Sequence, residues 1–522
     1  MPSATVPNHT TVLVIGGGPG GSYTAAVLKR EGLDVVLLEA SKFPRYHVGE
    51  GMLPSMRHYL RFIGLEEEFH NHGFMHKPGA CFKLNQDLRE TYTDFSTLGP
   101  SRTTWNVIRS EADEMMLRHA AREGVHVIEE TRVNSLQFEG DPASSRPISA
   151  SWSNKRGDSG EIRFDWLVDA SGKNGIMESK YLKNRIFREG LRNVAVWGYW
   201  KDVRIYQEGT KRSNSPWFEA MTDEQGWAWL IPLHDGTTSI GIVMHQDIAT
   251  KKKAAYPGGA PSMTEHYLEQ VKLLPGVLDL IGDKGHLVPG SVKGSTDYSY
   301  HADRYSGDHY RIAGDAACFV DPFFASGVHL AMTGALAAAS TIRASMKGQV
   351  SEEFAQHWHD AKIGVAHTRF LLVVLSAYKQ MRQQNKPVLN DINEDSFDKA
   401  FSLFRPVIQG AADSEGKRLS DETLDGMIDF VIHLFEPTEE EQAKAVAKKY
   451  TPDLLKLNGP VMGTKEVNAA VDATDEDAKV VLSRLNALKI LRNDTSCESF
   501  STDAVDGYVV QLERGNLGLV EA

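Results

Sequence analysis

Thr11-Val12-Leu13-Val14-Ile15 is an unbroken aliphatic and β-branched run, the pattern of a strand covered on both faces in a parallel sheet. A glycine turn, Gly16-Gly17-Gly18-Pro19-Gly20-Gly21, follows it, then a helical segment from Ser22 to Arg30 and a second strand at Val35–Leu38. Ile162 to Val168 predicts another strand, running into Asp169-Ala170-Ser171-Gly172. The stretch from about 190 to 300 is β-rich, with strands predicted at Val194–Trp200, Trp227–Pro232 and Thr238–Met244. In Gly226-Trp227-Ala228-Trp229-Leu230-Ile231-Pro232 the two indoles and Ile231 are spaced by two, so they project from one face of an extended segment. Arg311-Ile312-Ala313 leads into Gly314-Asp315, and a small-residue helix begins near Gly327.

Beyond about residue 350 the periodicity becomes helical. Leu424, Met427, Ile428, Val431, Leu434 and Phe435 form one apolar stripe. Thr438-x-x-Glu441 and Thr474-x-x-Asp477 have the form of capping boxes. Polar, glycine-containing linkers near 410–420 and 457–475 separate these helices. The pattern predicts an α/β core over residues 1–350, including its β-rich region, and a helical C-terminal domain over 351–522.

Composition narrows the function classes. The 522 residues carry a formal net charge of −12, which speaks against nucleic acid and against an anionic membrane surface as partners. Hydrophobic and charged fractions of 41% and 24% are those of an ordinary globular protein. Met1 to Thr10 has no apolar core, so no secretory signal is read there. The run Phe370–Leu375 is too short by itself to span a bilayer. Cys81, Cys318 and Cys497 are scattered and odd in number, which points to a reducing, cytoplasmic setting rather than a disulfide framework.

Gly16-x-Gly18-x-x-Gly21 follows a strand, opens a helix and has Glu39 at the end of the next strand. In that context the first glycine permits a tight turn, the second admits a pyrophosphate and the third allows close helix packing. Glu39 would accept a hydrogen bond from a ribose. The motif alone leaves FAD and NAD both open, and a WxW strand alone is as readily a packed core strand.

Taken together, the fingerprint, Gly226-Trp227-x-Trp229-x-Ile231-Pro232 and the late Gly314-Asp315 segment resemble the flavin-dependent halogenases. Further segments are similar to the wider aromatic hydroxylase superfamily. These are Asp169-Ala170-Ser171-Gly172, Gly314-Asp315-Ala316-Ala317 before Asp321-Pro322, Arg109 in Asn106–Ser110, and the loop Phe43-Pro44-Arg45 with Gly49-Glu50. The resemblance implies a Rossmann-like FAD-binding fold of the aromatic hydroxylase and glutathione reductase type, with a β-sheet substrate region and a helical C-terminal domain. Gly16, Gly18, Gly21, Glu39, Arg45, Arg109 and Asp315 would hold FAD.

The resemblance also implies the chemistry. Reduced FAD (FADH2) and O2 form a C4a-hydroperoxide, chloride or bromide attacks it, and hypohalous acid travels to a lysine beside a separate substrate pocket. That lysine is assigned to Lys77 in Gly73–Phe82, with Lys83 as a nearby competitor. Trp227 and Trp229 would wall the substrate off from the flavin. Backbone amides of Ser326 and Gly327, in Phe324-Ala325-Ser326-Gly327-Val328, would bind halide. Phe324 stands where tryptophan halogenases carry a glutamate, which favours a self-activating phenol. Over nearly the whole chain the sequence is most similar to the fungal phenol halogenases of aromatic-polyketide pathways. A separate flavin reductase would supply FADH2, since no second dinucleotide fingerprint is present.

A single-component FAD/NADPH aromatic hydroxylase is the competing enzymatic reading, and a non-catalytic flavin-binding protein the competing non-enzymatic one. His70, His72 and His76 are the histidines closest together, but the halogenase-like context and the lack of clustered carboxylate ligands speak against a di-metal centre, so no metal site is expected. One of these, or His47, would be a candidate base for a phenol.

Overall fold

The computed structural model describes residues 5–95, 103–296, 299–382 and 499–522. Between the last two it describes 384, 440–451, 454–455, 462, 464–472 and 474–492. The stripe at Leu424–Phe435, the linker at 410–420, Thr438 and Cys497 lie outside the described residues.

In the strand His9–Ile15 the run Val12–Ile15 is hydrophobic on both faces because it lies in the middle of a parallel sheet. It pairs with Val35–Leu38 on one side and with Ser159–Asp169 on the other. His126–Ile128 and Tyr310–Ile312 continue the parallel order outward. Val12 and Val14 pack beneath the helices Pro19–Arg30 and Gly327–Met346, whose alanines admit close approach. Leu13 and Ile15 enter the core on the opposite face. Gly16, Ala170–Gly172 and Gly314–Asp315 therefore converge at the carboxyl edge of this sheet, where open α/β folds bind ligands.

A second sheet follows the order His286–Leu287, Asn193–Lys201, Thr238–His245, Gly226–Pro232, Trp217–Ala220, Gly79–Lys83, Thr91–Asp94. Its Gly226–Pro232 strand is buried throughout. Trp227, Trp229 and Ile231 face a core shared with Trp197, Phe218 and Phe323, whereas Ala228 and Leu230 face one shared with Trp217 and Tyr267. Trp229 is in register with Gly241 on the neighbouring strand. A Cβ at Gly241 would lie 2.1 Å from the Trp229 ring, so only glycine lets the indole lie across that strand.

The apolar run Phe370–Leu375 sits inside a 31-residue helix, Glu352–Arg382. Among the described residues this helix is long and apolar enough to cross a membrane, but 83% of its most apolar stretch is buried within the protein. It packs on the tryptophan-bearing core, so its composition is that of a core helix.

Three shorter helices, Glu440–Lys449, Thr464–Ala470 and Glu476–Arg492, share a small core built on Val446, Val467 and Leu482. Two expectations are corrected here. The helix Thr464–Ala470 occupies part of the stretch read as a 457–475 linker. The helix Glu476–Arg492 is capped by Asp475, whose Oδ1 accepts from Ala478 N at 3.1 Å, while Thr474 Oγ1 donates to Asp472 instead. Capping one residue later satisfies an orphan amide with the stronger acceptor, a carboxylate. The chain ends in a hairpin, Tyr508–Gln511 with Gly518–Glu521, whose Leu517 and Leu519 join the N-terminal core. Glu31 fastens it by accepting from the amides of Gly515 and Leu517.

Candidate functional site

Gly16 turns the chain with φ +101°, and a Cβ there would lie 2.3 Å from the Ala170 carbonyl oxygen. At Gly21 a Cβ would meet Gly16 O at 1.9 Å, so this glycine serves packing and does not line the cavity. Gly18 differs: within 4 Å its Cβ would meet only the Arg45 guanidinium. The helix that begins at Pro19 has no side-chain cap, and Gly18, Pro19 and Gly20 at its start line the same open space. That space is a cavity of about 550 Å³ running from Gly18 and Glu39, past Arg45, Arg109 and Asp315, to Trp197, Trp227 and Trp229.

The polar groups of this cavity are fixed in place. Glu39 accepts from the amides of Gly17 (2.6 Å) and Ser41 (2.7 Å), which aims its carboxylate along the cavity wall. Arg109 makes a two-pronged pair with Asp113 at 2.8 and 3.1 Å, and Arg45 joins the same carboxylate at 3.1 Å. Burial opposes both charges of the Arg109–Asp113 pair. Their mutual attraction overrides it, leaving Asp113 below and Arg109 above its ordinary value. Burial pushes Asp315 up to about 6. His47 lines the cavity and is pulled down to about 4, first by the Arg109 charge and then by burial. An open glycine, an uncapped helix start and acidic groups at two points along one cavity fit an FAD.

Lys77 ends the short strand Met75–Lys77, which pairs with Thr104–Asn106. Its side chain is 1% exposed, its Nζ donates to the Met52 carbonyl at 2.9 Å, and it lies over the Phe95 ring at 5.6 Å. Burial pulls its amine down to about 7. Lys83, its competitor in sequence, instead donates to the Leu88 carbonyl at the surface. Around Lys77 stand Phe95, Phe218, Phe323 and Phe324, with Phe82 stacked between Phe218 (5.1 Å) and Phe324 (5.9 Å). The remaining space is about 10 Å³, room for one water molecule.

Phe218 and Ala325 line both this compartment and the large cavity. Gly51 marks the junction: a Cβ there would lie 3.3 Å from Ala325 Cβ, 3.5 Å from Lys77 Nζ and 3.8 Å from Ile231 Cδ1. Pro232 closes the strand outside the cavity lining, its carbonyl accepting from Asn106 Nδ2 at 3.2 Å. Ser326 precedes the helix Gly327–Met346 and is fully buried, its Oγ without a hydrogen-bond partner. Gly327 and Val328, beside it, line the large cavity.

Residues 9–368 match the family model of the FAD binding domain. The chain is 63% identical over 528 residues to the flavin-dependent halogenase armH5 of Armillaria mellea, covering 100% of both. It is 46% identical over 535 residues to the sulochrin halogenase gedL of Aspergillus terreus, covering 99% and 94%. Among solved structures, the myxobacterial chondrochloren halogenase CndH matches with a TM-score of 0.66 at 27% identity, covering 81% of this chain and 96% of that one. The chain belongs to the flavin-dependent halogenases.

In this halogenase the partners of two carboxylates named from the sequence, Asp321 and Glu50, went unnamed there. Trp227 Nε1 donates to Tyr378 OH at 2.8 Å, and Tyr378 OH donates to Asp321 Oδ2 at 3.0 Å. Asn193 Nδ2 reaches the same carboxylate at 2.7 Å, and burial pushes Asp321 up to about 6. Tyr378 lies on the long helix 151 residues away from Trp227, and no local pattern announces the pair. Glu50 is buried and pushed up by that burial, and it accepts from Tyr199 OH at 2.9 Å. Tyr199 OH is 3.0 Å from Tyr46 OH, whose side chain is half exposed, and Trp197 Nε1 donates to Tyr46 OH at 2.7 Å. The Gly49-Glu50 dipeptide was the signal that could have found this chain.

Proposed function

We propose that the protein uses FADH2, O2 and chloride or bromide to halogenate a phenolic aromatic natural product, with Lys77 relaying the positive halogen. Reduced FAD with O2 would supply the oxidising equivalent that converts halide to hypohalous acid. The observation that carries this reading is the Lys77 amine, buried and drawn towards neutrality across Gly51 from the cofactor cavity. Near pH 7 such an amine populates two useful forms. The neutral one can accept halogen on Nζ, and the protonated one can donate a hydrogen bond to hypohalous acid.

Gly16, Gly18, Glu39, Arg45, Arg109 and Asp315 bind the cofactor, with Gly21 packing the helix against its turn. Trp227 and Trp229 hold the organic acceptor away from it. Ile231 and Pro232 complete that strand. The unpaired Ser326 Oγ and the first amides from Gly327 suit a halide ion at a helix N-terminus. Flat walls of Phe82 and Phe324 suit an aromatic ring beside Lys77, and admitting one requires a phenylalanine to rotate out of the stack.

The balanced reaction consumes one proton for each halide: FADH2, O2, halide, a proton and an aryl C–H become FAD, aryl halide and two waters. The chain Tyr46–Tyr199–Glu50 offers a route for that proton from the surface to the cavity. A separate flavin reductase supplies FADH2, and the reaction runs in the cytoplasm.

The test is an incubation with a flavin reductase, NADH, FAD, chloride and a panel of phenols that includes sulochrin, because a relative bears that name. A product with a chlorine isotope doublet is expected by mass spectrometry. Products that gain oxygen and no halogen would replace this reading by a hydroxylase.

A further inference from the structure

His72, Glu111 and His234 come from three separate segments and meet at the surface. His72 follows the helix Glu66–Asn71, Glu111 lies in the first turn of Arg109–Arg122, and His234 sits in the turn after Gly226–Pro232. Glu111 Oε2 is 2.7 Å from His72 Nε2 and 3.2 Å from His234 Nε2. The three ligand atoms all lie within 4.8 Å of one another. Phe74 packs against both imidazoles, at 4.3 Å from His72 and 5.3 Å from His234 between centroids, and so fixes their rings.

We propose that this triad binds a divalent transition-metal ion of the zinc type. On a tetrahedral zinc ion with bonds near 2.0–2.1 Å, neighbouring ligand atoms are about 3.3 Å apart. The Glu111–His234 edge, 3.2 Å, already has that length, the 2.7 Å Glu111–His72 edge would open by about 0.6 Å on binding, and the partial exposure of His72 and Glu111 leaves a further position for water. Two imidazole nitrogens and one carboxylate favour Zn²⁺ or Co²⁺ over Mg²⁺ and Ca²⁺, which take oxygen ligands.

Binding through both Nε2 atoms requires neutral rings protonated at Nδ1, so acid releases the ion. His234 Nδ1 is buried with no hydrogen-bond partner. Metal-bound histidines ordinarily donate from that second nitrogen, and its lack of an acceptor weakens the site by roughly 10–100-fold relative to a fully supported one. The ion would pin the turn after the tryptophan strand to the helix that carries Arg109. None of the three ligands lines the cofactor cavity or the Lys77 compartment, so the site is separate from the halogenation machinery.

The test is equilibrium dialysis of the full-length, chelator-treated protein against Zn²⁺ alone, with the variants His72→Ala and His234→Ala alongside. Wild type is expected to take up one equivalent that each variant binds at least about tenfold more weakly. Zn²⁺, and not Mg²⁺, is expected to raise the melting temperature of wild type only. Far-UV circular dichroism and FAD retention, both unchanged in the variants, show that they are folded. Absence of uptake by wild type, or equal uptake by wild type and both variants, would overturn the assignment.

Discussion

Replacing Lys77 by methionine is expected to raise stability while removing the chemistry. Between about pH 7 and the ordinary lysine value, the folded chain holds fewer protons at this amine than the unfolded chain does. Stability therefore rises with pH across that window, and the cost of burying the charge is fully present below it. The cost approaches roughly 5 kcal/mol, from about 1.4 kcal/mol for each pH unit separating the two values. Methionine fills similar volume without charge but leaves the Met52 carbonyl unpaired, which costs about 1–3 kcal/mol. Lys77→Met should thus gain about 2–4 kcal/mol at pH 6. The gain should shrink by about 1.4 kcal/mol per pH unit above 7 and reverse by about pH 10. Thermal and urea unfolding of the flavin-free protein at pH 6 and pH 9 measure this, and mass spectrometry of reductase-coupled reactions measures halogenated product, which should vanish while flavin reoxidation continues. A stability difference that does not vary with pH would refute the buried, readily neutralised amine, and persisting halogenation would refute its role.

Gly51→Ala places a methyl 3.5 Å from Lys77 Nζ and 3.3 Å from Ala325 Cβ. Halogenation should fall at least about tenfold while hypohalite appears in solution, trapped by a small scavenger; unchanged product would show that halogen does not pass there. Gly18→Val should abolish FAD retention, because its branches enter the space left for the pyrophosphate; a variant that stays yellow after gel filtration would contradict the assignment. Glu50→Gln and Tyr199→Phe should slow halogenation and steepen its loss at high pH, with FAD affinity by fluorescence quenching unchanged. If affinity falls and the pH profile does not move, Glu50 positions the cofactor instead of passing protons.

The N-terminal unit was legible because its signals are local: a buried strand, a glycine turn and a helix start within twenty-odd residues of one another. The tryptophan strand was equally readable, its alternation surviving intact as two opposed faces. Sequence order could not reveal what closes the Lys77 compartment, since Phe82, Phe218 and Phe324 reach it from three distant segments. Gly51 looked like one more loop glycine until Lys77, Ala325 and Ile231 were placed around it. Glu66, Glu67 and Glu68 stand just before His72 along the chain, but the carboxylate it meets is Glu111, brought beside it only when the helix of Arg109 folded there. The cap at Asp475 was displaced by one position because a threonine and an aspartate stand next to each other and both can cap.

Tyr378 braces the first indole from one turn before the end of its helix. The chain returns after that brace to the indole's core at Ala487 and to the N-terminal core at Leu517 and Leu519, so its later segments are tied at those points to the sheet that carries the indole and to the N-terminal sheet.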